Sequence, residues 1–182
     1  MRIIGIDPGL QATGWGVIAS DGAQLKNIDY GVIRTTTRMS DPERLGLIFE
    51  GLQNVISTYQ PETAIIEEIF VKDNPRSALR LGLARGVAML ACGRAGLALS
   101  EISARKVKQA VTGTGAADKK QVADMVSRIL VIKAPPSDAA DALAMAISCY
   151  QGAAAPKTKK VRMPDGLSAA IEAALQRDQK KT

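Results

Sequence analysis

No histidine occurs anywhere in the 182 residues. That absence removes the usual zinc sites, the Ser-His-Asp triad and histidine acid–base catalysis. Any hydrolytic chemistry must come from carboxylates, lysines, bound metal or a combination of these. Cysteine is scarce too: Cys92 and Cys149 both fall in small-residue apolar segments. Two such thiols suit burial and make no disulfide framework. No apolar run approaches a membrane span, and the N-terminus reaches Asp7 too soon for a secretory signal. A cytoplasmic protein without membrane association is expected.

What is present is enough for one domain with a real core. The apolar fraction of 46% is ordinary for a globular chain. Its charge is uneven. Residues 1–71 carry 5 basic and 9 acidic groups, whereas residues 72–133 carry 12 basic and 4 acidic. Residues 134–155 hold only Asp138 and Asp141, and residues 156–182 are basic again. Two acidic segments thus flank a basic one, an arrangement that suits a polyanionic partner or, more plainly, solvated helix faces.

The hydrophobic pattern predicts strands over Arg2–Asp7, Thr13–Ala19 and Leu25–Arg34, joined as an antiparallel meander. Ser40-Asp41-Pro42-Glu43 has the spacing of a capping box. Leu45, Ile48, Phe49, Leu52, Val55 and Ile56 mark one face of the helix that follows. Thr63–Ile69 reads as a fourth strand with a parallel neighbour. A long helix over Asn74–Ala95, a short strand over Leu97–Ile102 and helices over Ala104–Val111, Asp118–Leu130 and Asp138–Tyr150 complete the order. This predicts an α/β domain over residues 1–152, with a mixed five-stranded sheet flanked by helices. Residues 153–182 form a basic tail. Leu167–Leu175 has a weak helical pattern there, but disorder is the stronger reading.

Four acidic residues stand at the ends of apolar elements. Asp7 closes Ile3-Ile4-Gly5-Ile6, Glu67 closes Ala64-Ile65-Ile66, and Asp138 and Asp141 open the Ala-rich stretch to Ile147. Each has an ordinary explanation. Asp7 suits an Asp-Pro-Gly turn. Glu67 or its neighbour Glu68 could simply face solvent, since adjacent strand residues point to opposite faces. Asp138 and Asp141 suit the start of a helix. Together they suggest more, because functional groups of α/β sheets gather where strand ends and helix N-termini converge. Carboxylates so gathered repel one another unless cations neutralise them. A pair of divalent ions about 4 Å apart can drive phosphodiester hydrolysis without histidine.

Gly113-Thr114-Gly115-Ala116-Ala117-Asp118-Lys119-Lys120 resembles a phosphate-binding loop. It lacks the glycine directly before the lysine and the Ser or Thr after it.

Five segments in register resemble the RuvC family of Holliday junction resolvases. They are Ile4–Gly9 with Thr13–Val17; Ile66–Phe70; Ser77–Gly86; Ala104–Gln109 with Asp118–Val122; and Ser137–Ala144. The likeness spans about residues 1–150. It implies a ribonuclease H-like fold, with the first three strands antiparallel and the fourth and fifth parallel. It implies a homodimer that cuts four-way junction DNA by metal-dependent hydrolysis, leaving 5′-phosphate and 3′-hydroxyl ends, in recombination and repair. The family's catalytic, metal-binding carboxylates correspond to Asp7, Glu67, Asp138 and Asp141, which selects Glu67 over Glu68. Its functional lysines correspond to Lys108 and Lys119, and its junction-centre aromatic to Phe70. Arg76 and Lys120 are further expected DNA contacts. Magnesium is the implied ion, two per site, with manganese as a substitute. The RuvA–RuvB branch-migration complex is the implied partner. Two other readings are a non-catalytic junction-binding module and a fragment of an actin-like ATPase or sugar kinase. The second rests on a likeness of Asp7–Gly14 to that superfamily's first phosphate loop, and 182 residues lack the second domain it needs.

Overall fold

The computed structural model describes residues 1–22, 24–68 and 75–154. Strands β1 (Arg2–Asp7), β2 (Ala12–Asp21) and β3 (Gln24–Arg34) form the meander. Helix α1 (Asp41–Tyr59) leads to β4 (Thr63–Glu67), α2 (Pro75–Arg94) and β5 (Ala98–Ile102). Helices α3 (Ala104–Thr112), α4 (Lys119–Leu130) and α5 (Ser137–Tyr150) follow. The sheet order is β3-β2-β1-β4-β5, antiparallel across β1–β3 and parallel where β4 meets β1 and β5. This is the expected mixed sheet. The weak helical pattern over Leu167–Leu175, like the rest of the tail beyond residue 154, lies outside the described residues. Among the described residues no helix is long and apolar enough to cross a membrane.

Strand alternation divides the core in two. Ile4, Ile6, Val17, Ala64, Ile66 and Leu99 face α1 and α2, against Ile48, Leu52 and the small residues Ala84, Ala88 and Ala91. Ile3, Ile18, Ile65 and Ile102 face the other way, onto α3, α4 and α5. Ala153 and Ala154 pack at the edge of this second cluster. The helix ends follow their sequences. The Glu43 carboxylate accepts from the Ser40 backbone N–H at 2.7 Å, completing the capping box of α1. Asp118 and Gln121 cap α4 reciprocally. Val131 ends α4 at φ 54°, a left-handed conformation that a β-branched residue rarely adopts.

The approach of α5 to the sheet decides where the acidic residues go. Gly5 of β1 and its cross-strand partner Gly16 of β2 lie directly beneath this helix. A Cβ on Gly5 would stand 1.9 Å from the carbonyl oxygen of Ala142, and one on Gly16 would meet Leu143 at 2.6 Å. A Cβ on Gly14 would fall 2.0 Å from the carbonyl oxygen of Asp138. The missing side chains let α5 settle at backbone contact.

Candidate active site

Asp7 ends β1, and its alternation with Ile3 and Gly5 aims it at α5. Directly across the ladder sits Gly14, the residue on which the Asp138 backbone rests. Glu67 ends β4 two residues beyond Ile65, which belongs to the core cluster beneath α5, so it projects from the same face. Asp138 stands in the first turn of α5, and Asp141 follows one turn on. No side chain caps this helix, whose N-cap is Pro136. The capping role open to Asp138 is not the one it plays.

The electrostatics record the convergence. The Asp7 carboxyl is pushed from its ordinary 3.8 up to about 7, first by burial and then by the negative charges of Asp141, Glu67 and Asp138. Glu67 is raised as well, by burial and then by Asp141. Lys119, the first residue of α4, places its ammonium 3.1 Å from Asp141 Oδ2. The hydrogen bond to Asp141 and its charge raise the lysine's pKa in turn.

A cleft of about 260 Å³ runs beside the acidic set, lined by Glu67, Lys108, Lys119 and Asp141 over a floor that includes Val107, Val122 and Met145. Lys108, from α3, and Lys119 thus border the carboxylates from one side. Lys120 is exposed, outside that lining. Phe70 lies outside the described residues. Arg76 falls in the first turn of α2, but its side chain is outside the description too.

Two supports of the site escape sequence reasoning. One is the glycine floor under α5, for which glycines at alternate strand positions, Gly14 and Gly16, were the available signal. The other is Arg85 of α2, whose Nε donates to the main-chain oxygen of Glu67 at 3.1 Å. The loop after Asp7 is also tightly held. The Thr13 hydroxyl donates to the Gly9 carbonyl at 2.8 Å, and a Cβ on Gly9 would meet the Ala12 oxygen at 2.3 Å.

The donor set is all carboxylate oxygen, which fits hard divalent cations. Among the described residues no three acidic side chains are already drawn together as a metal-ligand set. In this arrangement Lys119 supplies the neutralising charge at Asp141. Burial first, and then the charges of Asp141, Glu67 and Asp138, raise the Asp7 carboxyl, and a cation among these carboxylates would relieve that charge.

The model of the crossover junction endodeoxyribonuclease RuvC family matches residues 3–149. A relative from Delftia acidovorans, a crossover junction endodeoxyribonuclease RuvC, is 49% identical over 165 residues, spanning 88% of this chain and 91% of that protein. One of the same description from Hyphomonas neptunium is 51% identical, spanning 81% of this chain and 89% of that protein. The solved structure of T. thermophilus RuvC in complex with Holliday junction substrate superposes with a TM-score of 0.80 at 36% identity. It covers 86% of this chain and 99% of that one. The yeast mitochondrial Holliday junction resolvase shares the fold, with a TM-score of 0.58 at 13% identity, covering 80% of this chain and 76% of that one.

Proposed function

The chain belongs to the crossover junction endodeoxyribonuclease RuvC family, and from that premise we propose how its ribonuclease H-like domain resolves Holliday junctions. The enzyme is a metal-dependent, structure-selective endonuclease of recombination and repair. Asp7, Glu67, Asp138 and Asp141 are its catalytic residues and its metal ligands. Magnesium is the proposed ion, two per site, with manganese able to replace it. When bound, such ions polarise a phosphodiester and make water a stronger nucleophile.

The chain's own residues do the rest. Asp7 and Glu67 fix one wall from adjacent, parallel strands. Asp138 and Asp141 fix the other from a helix seated on glycine. Lys108 and Lys119 offer ammonium groups to the DNA backbone and position it, with Lys120 and Arg76 extending that contact. Phe70 stacks on an unpaired base at the junction. Hydrolysis leaves 5′-phosphate and 3′-hydroxyl ends. The α2 helix, with Leu79, Leu83 and Leu90 exposed on it, suits a homodimer interface. Two copies would set two sites on a two-fold substrate. The RuvA–RuvB complex is the proposed partner, the cytoplasm the proposed compartment, and residues 153–182 a basic tail to the nuclease domain.

The observation that carries this reading is the convergence of the β1 and β4 strand ends with the first turns of α5, where burial and the charges of Asp141, Glu67 and Asp138 raise the Asp7 carboxyl. The test is cutting of a synthetic four-way junction with magnesium. Wild-type protein cuts in both arms symmetrically, and Asp7→Asn leaves binding intact but abolishes cutting. Undiminished cutting by that variant removes the assigned mechanism. Salt-sensitive binding by the wild type without any cutting would favour a junction-binding module instead.

A further inference from the structure

Glu67 sits where β4 stops, and a strand end is a weak place to hold a catalytic carboxylate. The parallel pairing of β4 with β1 ends at Ile66, one residue before it. On the other side the ladder to β5 closes with Glu67 opposite Ile102 and the Glu68 N–H on the Ile102 oxygen at 2.8 Å. The main-chain oxygen of Glu67 receives its hydrogen bond from outside the sheet. Arg85, in the middle of α2, donates to it through Nε at 3.1 Å. The same guanidinium pairs with the carboxylate of Glu101 on β5. Its third nitrogen lies 3.2 Å from the sulfur of Met89, one turn along α2. Side chains at this pair are 17% and 25% exposed, so solvent screens the contact only in part.

The geometry points to Arg85, braced by Glu101, as a positioning residue for Glu67. A guanidinium presents donors in a fixed planar fork, so engaging Glu101 with one nitrogen orients the Nε–H toward the Glu67 oxygen. Glu101 faces α2 because it shares the parity of Leu99, which packs in the α1–α2 core. Arg85 therefore works from the face opposite the acidic notch. It touches the backbone of Glu67, not its carboxylate and not the cleft. Its effect is to fix the direction in which the Glu67 side chain leaves the sheet. It also ties that direction to α2, the helix proposed to face a second copy. The inference rests on the reading of Glu67 as catalytic.

The test compares Arg85→Ala, Arg85→Lys, Glu101→Gln and Glu67→Gln on a synthetic four-way junction with magnesium. Single-turnover cutting, junction affinity without metal, sedimentation and thermal unfolding are read for each. A misplaced catalytic group costs roughly 10- to 100-fold in rate, so Arg85→Ala should slow the cutting step by about that factor. Its junction affinity and its dimer should stay at the wild-type level. Arg85→Lys keeps charge without the fork and recovers only part of the rate. Glu101→Gln falls between Arg85→Ala and wild type, and the Arg85→Ala/Glu101→Gln double variant is no slower than Arg85→Ala alone. Cutting by Arg85→Ala within twofold of wild type overturns the inference, as does a parallel loss of junction affinity. If Arg85→Ala does not fold, Arg85→Lys and Glu101→Gln decide the matter on the same readouts. Wild-type cutting by Glu67→Gln would bring down the site reading itself. A dead Glu67→Gln beside a fully active Arg85→Ala would bring down only the positioning role.

Discussion

The two faces of the sheet are built on opposite plans. Toward α1 and α2 the strands present Ile4, Ile6, Val17 and Ile66, and large side chains such as Ile48 and Leu52 fill the space between the layers. Toward α5, the central strands present Gly5, Gly14 and Gly16, and the helix comes down until main chain meets main chain. The first face gains stability from apolar volume. The second gives up side chains near its acidic end, and the approach it permits draws Asp138 and Asp141 toward Asp7. Packing that only stabilises can be loose by an ångström. Packing that positions four repelling charges cannot.

That contrast can be broken from either side. The largest effect is expected at Gly5→Ala, where the new methyl collides with the Ala142 carbonyl at 1.9 Å. We predict a loss of about 3 kcal/mol in denaturant unfolding together with loss of cutting, because α5 must lift and take Asp138 and Asp141 with it. Next comes Asp7→Asn, which should stabilise the metal-free protein while destroying its activity. The native pKa of Asp7 is raised, so folding takes up a proton between the ordinary value near 3.8 and about 7. Stability of the wild type therefore falls as pH rises through that window. The asparagine variant should gain about 2 kcal/mol in chelator above pH 7, with the gap closing as pH drops to 4. Urea unfolding across pH reads this directly, and a pH-independent gap would contradict the shared-charge picture.

On the other face, Ile48→Val should cost about 1 kcal/mol and leave cutting per folded molecule unchanged, since Ile48 packs in the core on the side of the sheet away from α5. The smallest effect has the opposite sign from the first. Gly46, exposed on α1, has nothing within 4 Å of its absent Cβ. Gly46→Ala should raise stability by about 0.5 kcal/mol, measurable as a shift in unfolding midpoint. One glycine substitution thus disrupts and another helps, according to which layer it touches.

Much of this was legible in the chain. Apolar runs such as Ile3–Ile6 and the capping box at Ser40 and Glu43 stand in the structure where the pattern puts them. The site was partly legible, because carboxylates at the ends of apolar elements are conspicuous in a chain without histidine. The choice between Glu67 and Glu68 was not open to spacing. It depends on which strand face α5 covers, and no residue near Glu67 reports that. The Thr63–Ile69 run also does not show that the strand stops at Glu67, since apolar residues continue at Ile69 and Phe70. The bracing by Arg85 was invisible for the same kind of reason. An arginine on a helix reads as a solvated charge until the neighbouring strand ends are known.

The order of elements along the chain adds something about timing. Asp7 and Glu67 are synthesised early, but α5 is the final described helix, and it supplies both remaining carboxylates and much of the second core. Translation proceeds at about 5–20 residues per second, so a nascent chain spends several seconds with Ile3, Ile18 and Ile65 uncovered and half an active site. During that interval it can bury its first core but lacks two of the four proposed metal ligands. A product truncated before Ser137 stays in that condition permanently. Under the proposed mechanism it would be inert as a nuclease and, with an apolar sheet face in water, it is a natural client for chaperones and proteases.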